Sequence, residues 1–387
     1  MTKPLNGVRI LDLSRLLPGG YATLILSDLG AEVIKIESID GDPSRDIPPF
    51  VGTESHHHLT INRNKKSVAL NLKTDEGRQI FYELAASSHC ILENFRPGVA
   101  NKLGISFETI KKLNNKIVYC SLSGFGQDSP YKDLPAFDLN FTSLSGILGM
   151  SQQNKHGNPS IQGLLLGDTS ASLWTVISIF AGLKEVENTG EATYIDLAMQ
   201  DGLLSLLTII AGRYFADGKT SSDFTGKSAA WNVYKTKDDQ YVSLAAYDKY
   251  FWKGFCDLVN REDLIPFDFH NIEQRDEIIS IIQSIFIQKT RSEWEKLFFN
   301  ANIPFTPVKG IEELEDDPHI KKKNIIQSYR TSGNQEFKYI TTPIYTSTNN
   351  QRSAPILGEN SRELLLSLGY SESKVTHLLE TGIIKGI

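Results

Sequence analysis

Gly163-Leu-Leu-Leu-Gly167-Asp168-Thr-Ser-Ala-Ser172 sets a carboxylate after an apolar run and a glycine, ahead of a helical pattern through Trp174, Ile177, Ile179 and Leu183. This spacing predicts a strand, a glycine turn and a helix whose first turn carries Asp168. A helix N-terminus bears partial positive charge, so a carboxylate there is expected to stay ionised. Kept short of water, that carboxylate has the chemistry of a nucleophile or a base. An aspartate at a helix start also serves as a plain cap for orphan N–H groups. The local sequence leaves both roles open.

Basic residues form a second group. Arg63, Lys65 and Lys66 precede one predicted strand, Arg96 and Lys102 flank Pro97-Gly98 after another, and Arg15 lies in the first crevice of the chain. Ends of strands in an α/β sheet are where ligands of such folds bind. Phe95 beside Arg96 offers a ring to stack a purine while the cations take phosphates. The alternative is a scatter of solvated surface charges.

Other chemistries find less support. Pro18-Gly19-Gly20 lacks the third glycine and the downstream acid of a dinucleotide fingerprint, and it is no P-loop, so neither nicotinamide nor ATP is expected. His56-His57-His58 reads as an exposed loop triplet rather than a metal site. Cys90, Cys120 and Cys256 lie far apart with no CxxC pair, which points to reduced thiols and no metal-ligand spacing. A formal net charge of −6 argues against nucleic acid as the main partner. The opening residues run straight into a strand pattern, and Leu203 to Ala211 is too short to span a bilayer. A soluble cytoplasmic protein with no membrane partner is the expectation.

The elements that must hold these groups follow from periodicity. Val8 to Leu13, Ala31 to Glu37, Ser67 to Leu72, His89 to Glu93 and Ile117 to Leu122 read as strands. Ser14 to Gly20 reads as a loop and Tyr21 to Leu29 as a helix; Asp75 to Ala86 and Ser106 to Leu113 are further helices. This alternation predicts an α/β fold with a mostly parallel sheet. Helices near 169–187 and 199–218 flank a strand at Ala192 to Leu197. A hairpin turning at Lys237-Asp-Asp239 and helices at 249–259, 275–288 and 291–301 then form a smaller α+β unit. The chain reads as loop-rich from Pro307, and Glu359 to Glu380 as two amphipathic helices. The expected division is 1–218, a linker at 219–228, a small domain at 229–325, and a C-terminal segment, 326–387, that returns to the large domain.

Taken together, several motifs resemble class III CoA-transferases, whose superfamily also holds alpha-methylacyl-CoA racemases. They are Asn62-Arg-Asn-Lys-Lys-Ser-Val-Ala-Leu-Asn-Leu-Lys73, Glu93-Asn-Phe-Arg-Pro-Gly98 with Leu103-Gly104, and Gly167-Asp168. Asp28 to Glu37, Ser123-Gly-Phe-Gly126, Asp196 to Gly202, Ile303 to Val308 and Leu357 to Glu359 extend the likeness over nearly the whole chain. The resemblance implies a Rossmann-like large domain, a smaller domain, and two chains interlocked as linked rings in a homodimer. It implies coenzyme A as a substrate, with an acyl-CoA donor and a carboxylic acid acceptor. By position Arg15, Arg63, Lys65, Lys66, Asn94, Phe95, Arg96 and Lys102 would hold CoA. Asp168 would be the nucleophile, with Gly167, Thr169 and Phe137 around it and backbone N–H groups as an oxyanion site.

Racemisation needs two acid/base groups on opposite faces of a carbon. The racemases place a histidine where this chain has Phe137, in Ala136-Phe137-Asp138-Leu139-Asn140, and a glutamate where it has Asp248. A phenyl ring moves no proton, so transfer is the expected activity; a racemase, or a CoA-binding protein without catalysis, is the alternative. Formyl-CoA transferases carry a glycine run in the small domain, a glutamine where Leu17 stands and a basic residue where Ser38 stands. Those differences argue against oxalate or formate and for a larger or more apolar acyl group.

Overall fold

Short β-branched runs separated by helices build one mostly parallel sheet in the computed structural model, which describes residues 3–152, 157–219, 225–267, 274–344 and 352–386. In chain order the elements are β1 (Arg9–Asp12), α1 (Leu16–Asp28), β2 (Glu32–Glu37), β3 (Lys66–Leu70), α2 (Asp75–Ala86), β4 (Cys90–Glu93) and β5 (Val118–Ser123). Next come α3 (Asp138–Leu144), α4 (Leu166–Thr189), β6 (Thr193–Ala198) and α5 (Met199–Leu204). The strands are ordered β3-β2-β1-β4-β5-β6, all parallel, and the terminal strand Ile384–Lys385 adds antiparallel beside β3. The order reverses between β2 and β4 about β1, the doubly wound arrangement whose ligands sit outside the strands' carboxyl ends. Leu11 of β1 pairs with Ile34 on one side and Ile91 on the other, and all three are fully buried.

The loop expected over residues 14–20 from their Pro-Gly-Gly is confined to Ser14 and Arg15. Helix α1 already begins at Leu16 and is buried along most of its length. Proline is tolerated there because first-turn N–H groups have no intrahelical partner. The glycines serve close packing: a Cβ on Gly20 would stand 2.6 Å from Ile61 Cδ1, and one on Gly19 would overlap Ser14. Helix α4 also departs from expectation. Its buried face is made of small residues, Gly167, Ser170, Ala171, Ser172, Thr175 and Gly182 with Ile179, while Leu173, Trp174 and Ile177 face outward. It is the one helix among the described residues long and apolar enough to cross a membrane, and it packs against α1, β5 and β6.

Contacts divide the chain into two units: residues 1–145, 162–206 and 323–387, and residues 146–161 and 207–322. The core of the first unit joins the sheet residues Leu11, Ile34, Val68 and Ile91 to Leu364, Leu365, Val375 and Leu378 of the tail. Those tail residues lie in helices Ser361–Ser367 and Glu372–Glu380. The stretch after Pro307 holds more structure than expected, since Ile326–Arg330 and Glu336–Ile340 form an antiparallel hairpin. The second unit has a three-stranded antiparallel sheet of Asn232–Lys235, Tyr241–Leu244 and Phe305–Pro307. Trp252, Phe255, Phe286, Trp294 and Phe298 fill its core. The single helix expected over 199–218 is interrupted by a 3₁₀ turn at Ser205–Leu207. Part of the expected linker, 220–224, lies outside the described residues.

Candidate active site

Asp168 is the third residue of α4, and no strand leads into it: the helix starts at Leu166, and Leu164 and Leu165 are exposed. Nor does Asp168 cap its helix. The residue at the cap position is Leu165, which makes no side-chain bond. The first turn is capped from outside, by Asp138 Oδ1 accepting the Asp168 N–H at 3.0 Å. The expectation that the helix start keeps Asp168 firmly ionised is corrected accordingly. Burial, then the nearby Asp138 carboxylate, push its carboxyl from 3.8 up to about 6. At about 6 the group is still mostly a carboxylate at neutral pH, but one that is poorly solvated and faces a like charge.

Asp138 is the first residue of α3, buried to 9% exposure. Asn140 Oδ1 accepts the Phe137 N–H at 2.9 Å and fixes the start of that helix. Phe137 itself is 78% exposed, an apolar ring with no proton to give. Gly167 lets α3 lie close against α4: a Cβ there would lie 3.0 Å from Asp138 Oδ1 and 3.3 Å from Phe141 Cβ. The Thr169 N–H donates to Leu165 O at 3.0 Å. Two of the expected oxyanion donors, the N–H groups of Asp168 and Thr169, are thus already engaged. One turn on, Ser172 Oγ donates to Pro18 O at 2.7 Å and ties α4 to the start of α1.

The start of α1 borders a cavity of about 250 Å³ at the carboxyl ends of β1, β2, β3 and β4. Its walls are the loops that follow those strands, carrying Ser14, Arg15, Ser38, Asp42, Asn71, Lys73 and Phe95. Asn94 clamps the two central loops together: Asn94 Oδ1 accepts the Arg15 N–H at 2.8 Å, and Asn94 Nδ2 donates to Arg15 O at 2.9 Å. The Arg15 guanidinium stands 5.6 Å from the Phe95 ring centre. Beneath, buried Lys35 donates to Ser14 O at 2.8 Å and pairs with Asp42 at 2.9 Å. Arg15, Lys73, Arg96 and Lys102 are exposed. Arg96 lines a neighbouring cavity of about 220 Å³ with Glu93 and Tyr194.

Arg63 and Lys65 have a different duty from the one expected. They precede β3 and so lie at the amino end of the sheet, away from the ligand edge. Arg63, 1% exposed, holds Asp28 through two bonds of 2.6 Å and lies 4.7 Å from the Tyr339 ring centre. Lys65 donates to Asp12, Gly20 O and Asn62, and burial lowers its ammonium to about 8 against the opposing pull of Asp12. Lys66 pairs at the surface with Glu32 and Glu363. Lys73 is absent from the expected CoA-binding set, although its place just after β3 is the signal that separates it from Arg63 and Lys65 before that strand and Lys66 at its start.

The histidine triplet is not an exposed loop either. It opens the short helix His56–Asn62, where His58 is buried, bonded to Pro355 O at 2.9 Å, and lowered to about 3 by burial and Arg45. Asp248 caps the helix Lys249–Leu258 by accepting the Tyr250 N–H at 2.7 Å. Among the described residues no group of three His, Cys, Asp or Glu is placed to hold a metal ion.

Relatives agree with this architecture. A mouse (Mus musculus) succinyl-CoA:glutarate CoA-transferase is 31% identical over 397 residues, covering 99% of this chain and 91% of that protein. An acetyl-CoA:oxalate CoA-transferase of Acetobacter aceti is 31% identical over 84% of this chain and 85% of its own length. The crystal structure of a CAIB/BAIF family protein from Brucella suis superposes with a TM-score of 0.83 at 25% identity, covering 95% of this chain and all of that one. The sequence profile of CoA-transferase family III matches residues 5–361. The chain therefore belongs to CoA-transferase family III and is an enzyme of that class.

Proposed function

We propose that the protein moves CoA from an acyl-CoA thioester to a free carboxylic acid through covalent intermediates on Asp168. The Asp168 carboxylate attacks the thioester carbonyl carbon; the C–S bond breaks, and an aspartyl–acyl anhydride and a CoA thiolate result. The thiolate attacks the aspartyl carbonyl of the anhydride, which expels the donor acid as its carboxylate and leaves an aspartyl-CoA thioester. The acceptor carboxylate then displaces the thiolate, and the thiolate attacks the acceptor's acyl carbon to release new acyl-CoA and free Asp168. Each step exchanges one anionic leaving group for another, so no net proton is needed. The observation that carries this reading is the partly buried, raised Asp168 carboxyl on the first turn of α4, with no second base at Phe137.

The cavity at the strand ends suits the nucleotide end of CoA, with Phe95 to stack a purine and Arg15 and Lys73 to meet phosphates. Similar proteins are named for succinyl-CoA with glutarate or mesaconate, and dicarboxylic acids are the first acceptors to test. A second copy of this chain is the proposed cover for apolar faces left open to solvent. Leu173 and Ile177 on α4 are about half exposed, and helix Thr208–Asp217, with Ile209 78% and Phe215 81% exposed, has no buried residue. The expected interlocked form would resist subunit exchange between tagged and untagged dimers. Incubation with acyl-CoA and then hydroxylamine or borohydride should leave a derivative on Asp168. Acyl transfer surviving in Asp168→Ala would refute the nucleophile.

A further inference from the structure

Asp138 stands beside the nucleophile in a way that capping alone does not explain. A helix start is ordinarily capped by a residue next to it in the chain. Here the cap comes from thirty positions earlier, is buried, and is a carboxyl group that acts electrostatically on the carboxylate that must react. The mounting is firm. Asp138 sits at the start of α3, which the Asn140–Phe137 bond fixes, and Phe141 of the same helix packs edge-on against Phe125 at 5.4 Å between ring centres. Gly167 leaves the space that lets Asp138 approach.

We propose that Asp138 is a positioning residue for acyl transfer: it fixes the turn that aims Asp168 and presses a negative charge on the nucleophile that acylation relieves. The inference rests on Asp168 being the covalent nucleophile. A helix terminus by itself stabilises a carboxylate and so makes it a weaker nucleophile. Asp138 takes up an N–H of that terminus and opposes its field. Once Asp168 becomes an anhydride or a thioester it carries no charge, and the repulsion between the two groups ends. Like-charge pressure therefore favours the acylated enzyme over the free carboxylate, in addition to burial.

The elements packed against α4 are α1, α3, α5, β5 and β6. Their titratable groups are Tyr21 and Asp28, Asp138, Asp201, Tyr119 and Cys120, and Tyr194 and Asp196, in that order. Of these, Asp138 is the one that acts on the Asp168 carboxyl among the described residues, and burial with that charge holds it near 6.

Asp138→Asn separates the two roles, because the amide oxygen still accepts the Asp168 N–H while the charge is gone. The acid limb of kcat/KM for acyl-CoA is measured in wild type and variant, alongside trapping of Asp168 by borohydride. Expected is a limb displaced to lower pH by up to about one unit and acylation slowed severalfold, about tenfold at most, at pH 8, with KM little changed and Asp168 still labelled. Asp138→Glu, which restores charge with a longer reach, should return the limb toward its wild-type place. An unmoved limb in a folded Asp138→Asn protein whose Asp168 is still labelled overturns the proposal and spares the nucleophile. Absence of label on Asp168 in the wild type overturns both.

Discussion

Replacing Asp168 by asparagine should abolish transfer and at the same time stabilise the fold. The carboxyl is raised from 3.8 to about 6 by burial and by Asp138. Each pKa unit corresponds to about 1.4 kcal/mol, so full ionisation costs the folded state at most about 3 kcal/mol. Part of the carboxylate still meets water, and screening reduces the expected penalty to about 1–2 kcal/mol. The sign follows from proton binding. Between 3.8 and about 6 the folded chain holds the Asp168 proton while the unfolded chain releases it, so stability falls as pH rises through that window. Above the window the penalty is complete, and below it there is none. Asparagine removes the term at every pH. Its advantage should be full at pH 7.5 and about half as large at pH 5. Urea unfolding of both proteins at the two pH values, at one fixed protein concentration, measures the difference. An asparagine variant less stable at pH 7.5, or one whose gain is the same at both pH values, would show that Asp168 is not held at a cost.

Arg63→Met should lower stability by about 3 kcal/mol by leaving buried Asp28 without its counter-charge, though Asn64 and Thr342 still donate to it, while any residual activity keeps its KM for acyl-CoA, as unfolding and kinetics together will read. Arg15→Ala and Lys73→Ala should do the reverse, each raising that KM about tenfold (about 1.4 kcal/mol) with unfolding midpoints unchanged. A destabilised Lys73→Ala would speak against its place at the ligand edge. In the wild type, kcat/KM should climb about tenfold per pH unit up to about pH 6 and then level, because the ionised Asp168 is the reactive form; a flat profile from pH 5 to 8 counts against it.

The basic residues show where one-dimensional reading reaches its limit. Arg63, Lys65 and Lys73 all lie within a few residues of the same strand, and all are cations in a loop. Strand polarity separates them: the chain enters β3 after Lys65 and leaves it before Lys73. That much is legible in the sequence. The burial of Lys65 against Asp12 is not, because Asp12 lies 53 positions away and meets it only when β1 and β3 enter one sheet. The same holds for His58, whose partner Pro355 is 297 positions distant. Pro18-Gly19-Gly20 misled for a related reason. Glycine and proline mark a turn by local propensity, yet here they lie inside a helix, and Gly20 admits Ile61, a residue that only the fold brings near.

By itself the amino-acid order determined the strand and helix alternation, the doubly wound class, and Asp168 as the carboxylate to watch. Period and spacing are local properties, and motifs in a fixed order carry a family with them. Only the tertiary structure decided what state that carboxylate is in. A helix start alone would have stabilised its charge. The fold instead buries it and brings Asp138 to 3.0 Å from its backbone N–H, and desolvation with like charge is a property of neighbours in space, which no local pattern contains.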